Sequence, residues 1–410
     1  MNIAMVSEHA NPLAAIGGVD AGGQNVHVAE LARALAGRGH RVTVYTRHDA
    51  PGLARRVRLG RRLQVVHVPA GPPSEVPKDE LLPYMPDFAE FLRSEWSARP
   101  PDIVHAHFWM SGFASLLAAR DRGVPVVQTF HALGAVKRRH QRDADPSPPE
   151  RIRIEAAVGR SAALVLATAA DEVDELTQLG VPRAAVTVIP CGVDVQNFSP
   201  DGPIAPRGER PRLVAVGRLV PRKGFDLAIE ALRAVSDAEL LIVGGPPAAE
   251  LTADPEAARL RALAERCDVA DRVTLTGRVD RTALPPLLRS ADAVICMPRY
   301  EPFGMTALEA MACGVPVVAS AVGGLTDTVV DGVSGELVRS PTPARLAAVL
   351  RSLLADPFRL GAYRTSGVDR ARARYSWARI ALDTEAAYER VLAGGGVGAE
   401  HVDEPVEAAR

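Results

Sequence analysis

The sequence predicts an α/β protein made of two doubly wound domains. Three observations predict it. Short apolar runs rich in β-branched residues alternate with helical segments along the chain. The alternation passes through two rounds, divided by a proline- and glycine-rich stretch. The chain has 410 residues, enough for two separate cores. The runs are apolar throughout rather than alternating, so both faces of each strand are expected to be covered, as in parallel sheets with helices on either side.

In order, the first round reads as strands at Ile3–Val6, Val42–Thr46, Val65–Val68, Ile103–His107, Val126–Phe130, Leu164–Thr168 and Val186–Ile189. A helix from Val26 to Ala36 follows the first strand and carries an apolar stripe of Val28, Leu31 and Leu35. Ser199-Pro-Asp-Gly-Pro-Ile-Ala-Pro-Arg-Gly208 reads as the interdomain linker. The second round reads as strands at Leu213–Val216, Leu240–Val243, Val273–Leu275, Ala293–Cys296 and Val317–Ala319, with a helix from Phe225 to Val235 after the first of them. Tyr375-Ser-Trp377 opens a last helix through Val391. The expected division is 1–198 for the first domain, 199–375 for the second, and 393–410 for a polar, disordered tail.

Composition narrows the function classes. A net charge of −1 gives no basic excess for nucleic acid. The four cysteines, Cys191, Cys267, Cys296 and Cys313, have neither metal-ligand nor disulfide-framework spacing. Cys296 and Cys313 fall in apolar runs and read as small buried hydrophobes. The chain opens on a strand without a charged-then-apolar leader, and no apolar run reaches the roughly 18 residues that span a bilayer. A cytoplasmic protein is expected, with a homodimer left open.

The most informative stretch is Arg299-Tyr-Glu-Pro-Phe-Gly-Met-Thr-Ala-Leu-Glu309. Glu301 and Glu309 bracket a Pro-Phe-Gly turn that runs into an alanine-rich helix. Gly304 permits the turn, and the N–H groups of Met305 and Thr306 are expected to point out of the helix N-terminus, where about half a positive charge suits a phosphate. One acid near the anion and one further along the helix could grip hydroxyls on either side of a pyrophosphate. Upstream, Val216-Gly-Arg-Leu-Val-Pro-Arg-Lys-Gly-Phe225 sets Arg218 and Lys223 in a loop between Gly217 and Gly224. Two fixed cations beside a diphosphate would stabilise the charge that grows as a nucleoside diphosphate leaves. In Ala21-Gly-Gly-Gln-Asn25, Gly22 and Gly23 allow close backbone approach at a second helix N-terminus. Ligands of open α/β sheets bind at the carboxyl ends of the strands, and each motif follows a strand.

Gly217-Arg218, Lys223-Gly224 and Glu301-Pro-Phe-Gly…Glu309 resemble the donor-site signature of the retaining GT-B glycosyltransferases of family GT4, and Asp20-Ala-Gly-Gly-Gln-Asn25 resembles the first loop of sucrose-phosphate synthases and of the mycothiol-pathway enzymes that glycosylate inositol phosphate. The resemblance runs from Met1 to about residue 392. It implies the GT-B fold, two facing Rossmann-like domains, with the last helix (376–392) crossing back onto the first. The substrates it implies are a nucleotide sugar, best matched by UDP-N-acetylglucosamine, and a small polyol acceptor. By resemblance Glu309 holds the ribose hydroxyls, Glu301 the distal hydroxyls of the sugar, and the backbone at Arg278 and Val279 reads uracil. His131, at the end of its strand, orients the transferred sugar and lends a backbone carbonyl. No cofactor is expected. Asp143-Ala-Asp145 matches a metal-binding Asp-x-Asp but lies in a proline-rich loop, and Arg218 and Lys223 already supply the charge a metal would, so no metal is expected either. His9 is a secondary cleft candidate; His107, ending its strand, is better placed for the cleft than His105, but both read as buried, hydrogen-bonded residues. With both glutamates assigned to the donor, front-face attack with retention is favoured over double displacement.

For the acceptor, the inositol-phosphate enzymes use a Lys, a Tyr, a Thr and an Arg. Lys78 matches the first and Arg151 or Arg153 the last, with Asn25 nearby; Phe108 and Ala132 stand where the two hydroxyls would be. Each lost hydroxyl is worth roughly 1–3 kcal/mol to a charged oxygen. The expected acceptor is therefore an unphosphorylated cyclitol or aminocyclitol such as 2-deoxystreptamine, as in antibiotic assembly. The alternatives are an inositol phosphate or a lipid or polysaccharide acceptor at a membrane surface. The basic run Val136-Lys-Arg-Arg-His-Gln-Arg142 lacks the aromatics and apolar face that membrane docking needs, so membrane association is not expected. A nucleotide-sugar epimerase or hydrolase could share the fold. A dinucleotide oxidoreductase would need a Gly-x-Gly-x-x-Gly that Gly17-Gly18 and Gly22-Gly23 do not make.

Overall fold

The computed structural model describes residues 1–13 and 22–395. Asp20 and Ala21 of the first loop, Gly17-Gly18 and most of the polar tail lie outside the described residues. The strands are β1 Asn2–Val6, β2 Arg41–Arg47, β3 Arg56–Arg58, β4 Leu63–Val68, β5 Ile103–His107, β6 Val126–Thr129, β7 Leu164–Ala167 and β8 Val186–Val188, then β9 Arg212–Val216, β10 Glu239–Val243, β11 Val273–Gly277, β12 Ala293–Cys296, β13 Val317–Ser320 and β14 Gly335–Val338. They form one eight-stranded sheet, ordered β3-β4-β2-β1-β5-β6-β7-β8, and one six-stranded sheet, ordered β11-β10-β9-β12-β13-β14. Every pairing is parallel except β3 with β4. Both sheets have the Rossmann-like, doubly wound order that the sequence predicts.

Each sheet is buried on both faces, which is why its strands read as unbroken apolar runs. Val66, Phe88, Trp96 and Phe130 fill one face of the first sheet, and Met5, Leu31, Val44 and Ile380 fill the other. Ile229, Leu232 and Leu350 cover one face of the second sheet, with Leu308, Met311 and Phe303 on the other. The sequence reading overlooks β3 and β14. Both are edge strands, and an edge strand has too little buried surface to require an apolar run. The helix expected through Val235 ends at Leu232.

In each sheet the chain reverses direction at one point. β1 lies between β2 and β5, and β9 lies between β10 and β12. The crevices at the carboxyl ends of β1/β5 and of β9/β12 are the binding positions such topology provides. The helix Trp377–Arg390 packs Ile380, Ala381 and Tyr388 against the first sheet's helix Gly23–Gly37 and β1. The chain passes between the sheets twice, and the crossings are tied by a hydrogen bond from the Val193 N–H to the Tyr375 carbonyl, 2.7 Å. The linker segment is held down as well: Arg289 donates to the carbonyls of Pro203 (2.8 Å) and Ser199 (3.0 Å), and Arg207 pairs with Asp292 at 2.6 Å.

Candidate active site

The two switch points open onto one cavity of about 340 Å³ between the sheets. A larger hollow of about 910 Å³, lined by Arg33, Arg41, Arg61 and Arg62, lies at the amino ends of β1, β2 and β4 and holds none of the sequence motifs.

The wall from the second sheet carries Arg218, Lys223, Glu301 and the N-terminus of the helix Met305–Ala312, at Gly304, Met305 and Thr306. Two left-handed glycines fix it. Gly224 has φ 70°, and a Cβ there would stand 1.9 Å from the Met297 carbonyl oxygen. Gly304 has φ 90°, and its Cβ would meet Leu325 at 2.5 Å. Any side chain at either position would push the loops apart. Lys223 Nζ donates to Glu301 Oε2 at 2.5 Å, and Arg222 lies 3.7 Å from the same oxygen. Burial alone would raise the Glu301 carboxyl; Lys223, Arg222 and Arg218 outweigh it and hold Glu301 below its ordinary value. The two motifs thus form one charge cluster with excess positive charge beside a helix N-terminus, a setting for a phosphate group.

Glu309 is not in the cavity wall. It is buried behind it, paired with Arg281 at 2.8 Å, and burial pushes its carboxyl up against the pull of that arginine. Gly217 lies under the aliphatic chain of Lys223 rather than on the cavity. Arg278 and Val279 also lie outside the cavity wall, and the Arg278 N–H is already donated to the Pro246 carbonyl at 2.9 Å.

The facing wall carries Gly22, Gly23 and Asn25 after β1, Lys78, Phe108 after β5, and His131 and Ala132 after β6. Asn25 is a capping residue: its Oδ1 accepts from the Gly22 N–H at 3.1 Å and its Nδ2 donates to the Asn11 carbonyl at 3.0 Å. Its amide therefore shapes the loop instead of offering itself to an acceptor. Lys78 sits 3.1 Å from Asp79. His9 reaches the cavity and pairs with the buried Glu8 at 2.7 Å. His105 is buried between Tyr388 and Thr129, at 2.7 and 2.9 Å.

The two arginine candidates part company. Arg153 is exposed and away from the cavity. Arg151 is buried with its donors committed to Glu155 (2.7 Å), Ser147 (3.1 Å) and the Ala132 carbonyl (2.7 Å), and its guanidinium lies 5.1 Å from the centre of the Phe108 ring. In this arrangement it clamps the loop under the acceptor wall, with these donors already engaged. Of the Asp-x-Asp pair, Asp145 is held by Lys137 at 2.9 Å and by the Ser147 N–H at 3.0 Å.

Sequence reasoning misses Arg222, legible as the neighbour of Lys223, and the Arg281 partner of Glu309, for which the sequence carries no signal. The basic run forms a helix, Gly134–Gln141, that reaches across the cleft: Gln141 donates to the Tyr300 hydroxyl at 2.5 Å and His140 stacks on the Tyr300 ring at 4.7 Å. Among the described residues no helix is long and apolar enough to cross a membrane.

The first sheet's wall also holds a knot of buried imidazoles. Burial lowers His27 to about 4 and His105 to about 3, and pushes His107 and His131 well below the ordinary value. A folded-state value below the unfolded one means the unfolded chain binds more protons in acid. The stability is therefore complete above pH 6.5 and is lost as pH falls from there toward 4. Lowering the pH from 7 to 5 is expected to cost about 2 kcal/mol from His27 alone, read as a drop in the urea unfolding midpoint. An unchanged midpoint would mean that these rings are solvated.

Comparison with known proteins places the chain in a family. A family model described as Glycosyltransferase Family 4 matches residues 21–197, and one described as Glycosyl transferases group 1 matches residues 201–373. A D-inositol 3-phosphate glycosyltransferase of Catenulispora acidiphila is 40% identical over 410 residues, covering 96% of each chain. One of Xylanimonas cellulosilytica is 37% identical over 396 residues, covering 92% of this chain and 93% of its own. The sucrose-phosphate synthase of Thermosynechococcus elongatus superposes with a TM-score of 0.87 at 30% identity, covering 96% of this chain and all (100%) of its own. An Anabaena protein solved with UDP-glucose superposes with a TM-score of 0.72 at 20% identity, covering 95% and 99%, a likeness of fold.

Proposed function

Because the chain belongs to Glycosyltransferase Family 4 and is a glycosyltransferase, we propose that it transfers a sugar, with retention, from a UDP-sugar to a hydroxyl of an inositol phosphate. The supporting observation is the cleft itself, where a cationic cluster and a helix N-terminus face His131 and Lys78. UDP-N-acetylglucosamine is the proposed donor. Its diphosphate lies against Arg218, Lys223 and the Met305–Ala312 helix N-terminus, which neutralise the charge that grows on the leaving phosphate. Arg218, Arg222 and Lys223 supply enough positive charge for transfer without an added metal.

Double displacement requires a carboxylate nucleophile about 5 Å from its partner. Glu301 is the one carboxylate lining the cavity among the described residues, and it is engaged by Lys223. The proposed course is therefore attack by the acceptor oxygen on the face that the diphosphate leaves. The anomeric carbon–phosphate oxygen bond breaks as the new carbon–oxygen bond forms, and the acceptor proton passes to the departing phosphate.

The relatives' substrate, D-inositol 3-phosphate, supports the phosphorylated acceptor. A second reading, an unphosphorylated aminocyclitol, is favoured by the side chains of Phe108 and Ala132, which bring no hydroxyl to the cavity, and by the committed donors of Arg151. Product mass after incubation with UDP-N-acetylglucosamine and either D-inositol 3-phosphate or 2-deoxystreptamine separates them. Glycosylated inositol phosphate is expected; glycosylated deoxystreptamine alone would install the second reading, and neither product would sink both. The pair Phe108→Tyr, Ala132→Thr is expected to raise kcat/KM for inositol phosphate about 10-fold through restored hydrogen bonds to the phosphate. An equal rise for unphosphorylated inositol would mean these positions do not face the phosphate.

A further inference from the structure

Three imidazoles converge beneath the acceptor wall from three separate elements. His27 lies on the inner face of the helix Gly23–Gly37, His107 ends β5, and His131 follows β6 with a left-handed backbone, φ 62°. One ring nitrogen from each lies within 4.8 Å of the others. His27 and His131 meet edge to face at 4.9 Å between ring centres, and His107 stacks on His131 at 5.3 Å. His107 Nδ1 and His131 Nε2 share a hydrogen bond of 3.0 Å, while His107 Nε2 is buried without a partner. A buried ring nitrogen left unpaired is uncommon and costly. Cys191 Sγ stands 3.2 Å from His27 Nδ1, within reach as a fourth donor. His105, whose two nitrogens are spent on Tyr388 and Thr129, packs against His107 at 4.0 Å and backs the cluster without joining it.

Neutral imidazoles, here kept neutral by burial, are the ligand form of histidine. Three imidazoles with a thiol beside them, and no carboxylate, suit a borderline ion such as Zn²⁺ over Mg²⁺ or Mn²⁺. Tetrahedral Zn²⁺ with bonds of about 2.0–2.1 Å needs nitrogens about 3.3 Å apart, a contraction that side-chain rotation from the observed spacing can supply.

We propose that His27, His107 and His131 form a site for Zn²⁺ or a similar transition-metal ion, and that its occupation inhibits transfer by taking the His131 ring away from the cleft. Inhibition rests on the role given to His131 in the transfer reaction; binding does not. His27 carries the specificity of the test, because it lies outside the cavity wall and takes no part in the proposed chemistry.

The full-length protein, stripped with a chelator, would be titrated with Zn²⁺ against a chromophoric competitor and with Co²⁺ followed by its visible absorption. One equivalent of Zn²⁺ is expected to bind, with Co²⁺ giving the intense bands of a tetrahedral site. His27→Phe is expected to weaken binding at least about 100-fold, beyond what loss of a supporting contact costs. Its transfer rate in chelator should equal that of the parent, and Zn²⁺ should inhibit the parent but not the variant. Should the phenyl ring not fit, which circular dichroism would reveal, His27→Asn is expected to give the same result. Absence of stoichiometric binding to the parent, or equal affinity in a folded His27 variant, would overturn the site. Binding without inhibition would overturn the coupling to His131 alone, and a protein that transfers no sugar would still report on the metal.

Discussion

Lys223→Ala is expected to lower kcat/KM for transfer on the order of 10³-fold, at the upper end of what one preorganised charge supplies. The position of Lys223 is unusually constrained. Gly224, which only a left-handed glycine can fill, turns the chain directly behind it, and the Arg299 N–H donates to the Arg222 carbonyl at 2.8 Å. Its aliphatic chain lies over Gly217, so its ammonium has one place to go, 2.5 Å from Glu301. Removing it does two things. A cation is lost from the proposed diphosphate site, and the charge on Glu301 is left facing the phosphates with Arg222 at 3.7 Å and Arg218 to offset it. The second effect can be separated from the first. Lys223→Ala with Glu301→Gln is expected to recover roughly 10-fold of the loss, because contacting residues do not act additively. Steady-state kinetics with UDP-N-acetylglucosamine, with UDP affinity measured by calorimetry, reads both. Transfer within 10-fold of the parent in the single variant would remove Lys223 from the chemistry.

The parts of this cluster are legible in the sequence; their pairing is not. Lys223-Gly224 and Glu301-Pro-Phe-Gly each announce a turn before a helix, because such turns need glycine and place backbone donors at a helix N-terminus. Nothing local says that Lys223 and Glu301 touch, since their loops meet only when β9 and β12 pair side by side. The strands followed the same division. Runs such as Leu213–Val216 and Val317–Ala319 are apolar because both faces are covered, whereas β3 and β14 sit at edges where that demand lapses. Glu309 carries the same gap: its spacing from Glu301 is legible in the sequence, and its buried pairing with Arg281 at 2.8 Å is not. His27 sits in an apolar helical stripe, where a single histidine reads as core, and only the return of β5 and β6 brings His107 and His131 to it.

Arg151 is where a family pattern and the fold disagree, and Arg151→Met is expected to decide between them by destabilising the protein by about 3–5 kcal/mol, the usual cost of stripping one partner from a buried ion pair. In the folded chain Glu155 is buried and bonded to Arg151 at 2.7 Å and to the Gly134 N–H at 2.8 and 3.1 Å. Burial pushes its carboxyl up, and the guanidinium opposes that push. Without Arg151, Glu155 keeps one backbone donor and the Ala132 carbonyl loses its own, so the loop that carries His131 and Ala132 comes free of the helix Arg151–Ser161. Lysine is not expected to rescue, because three partners in three directions require the planar fork of arginine. Arg151→Met with Glu155→Leu is expected to regain most of the stability, since an apolar pair can replace a buried ionic one. Urea unfolding and acceptor KM, measured on the same variants, separate the two accounts. If the methionine variant were as stable as the parent but lost affinity for inositol phosphate relative to inositol, Arg151 would be an acceptor ligand after all, able to leave Glu155 when the phosphate arrives. A loss of stability that the double variant repairs, with the preference between the two acceptors unchanged, would assign Arg151 to the scaffold and leave Lys78 as the cation facing the acceptor from the first sheet's wall.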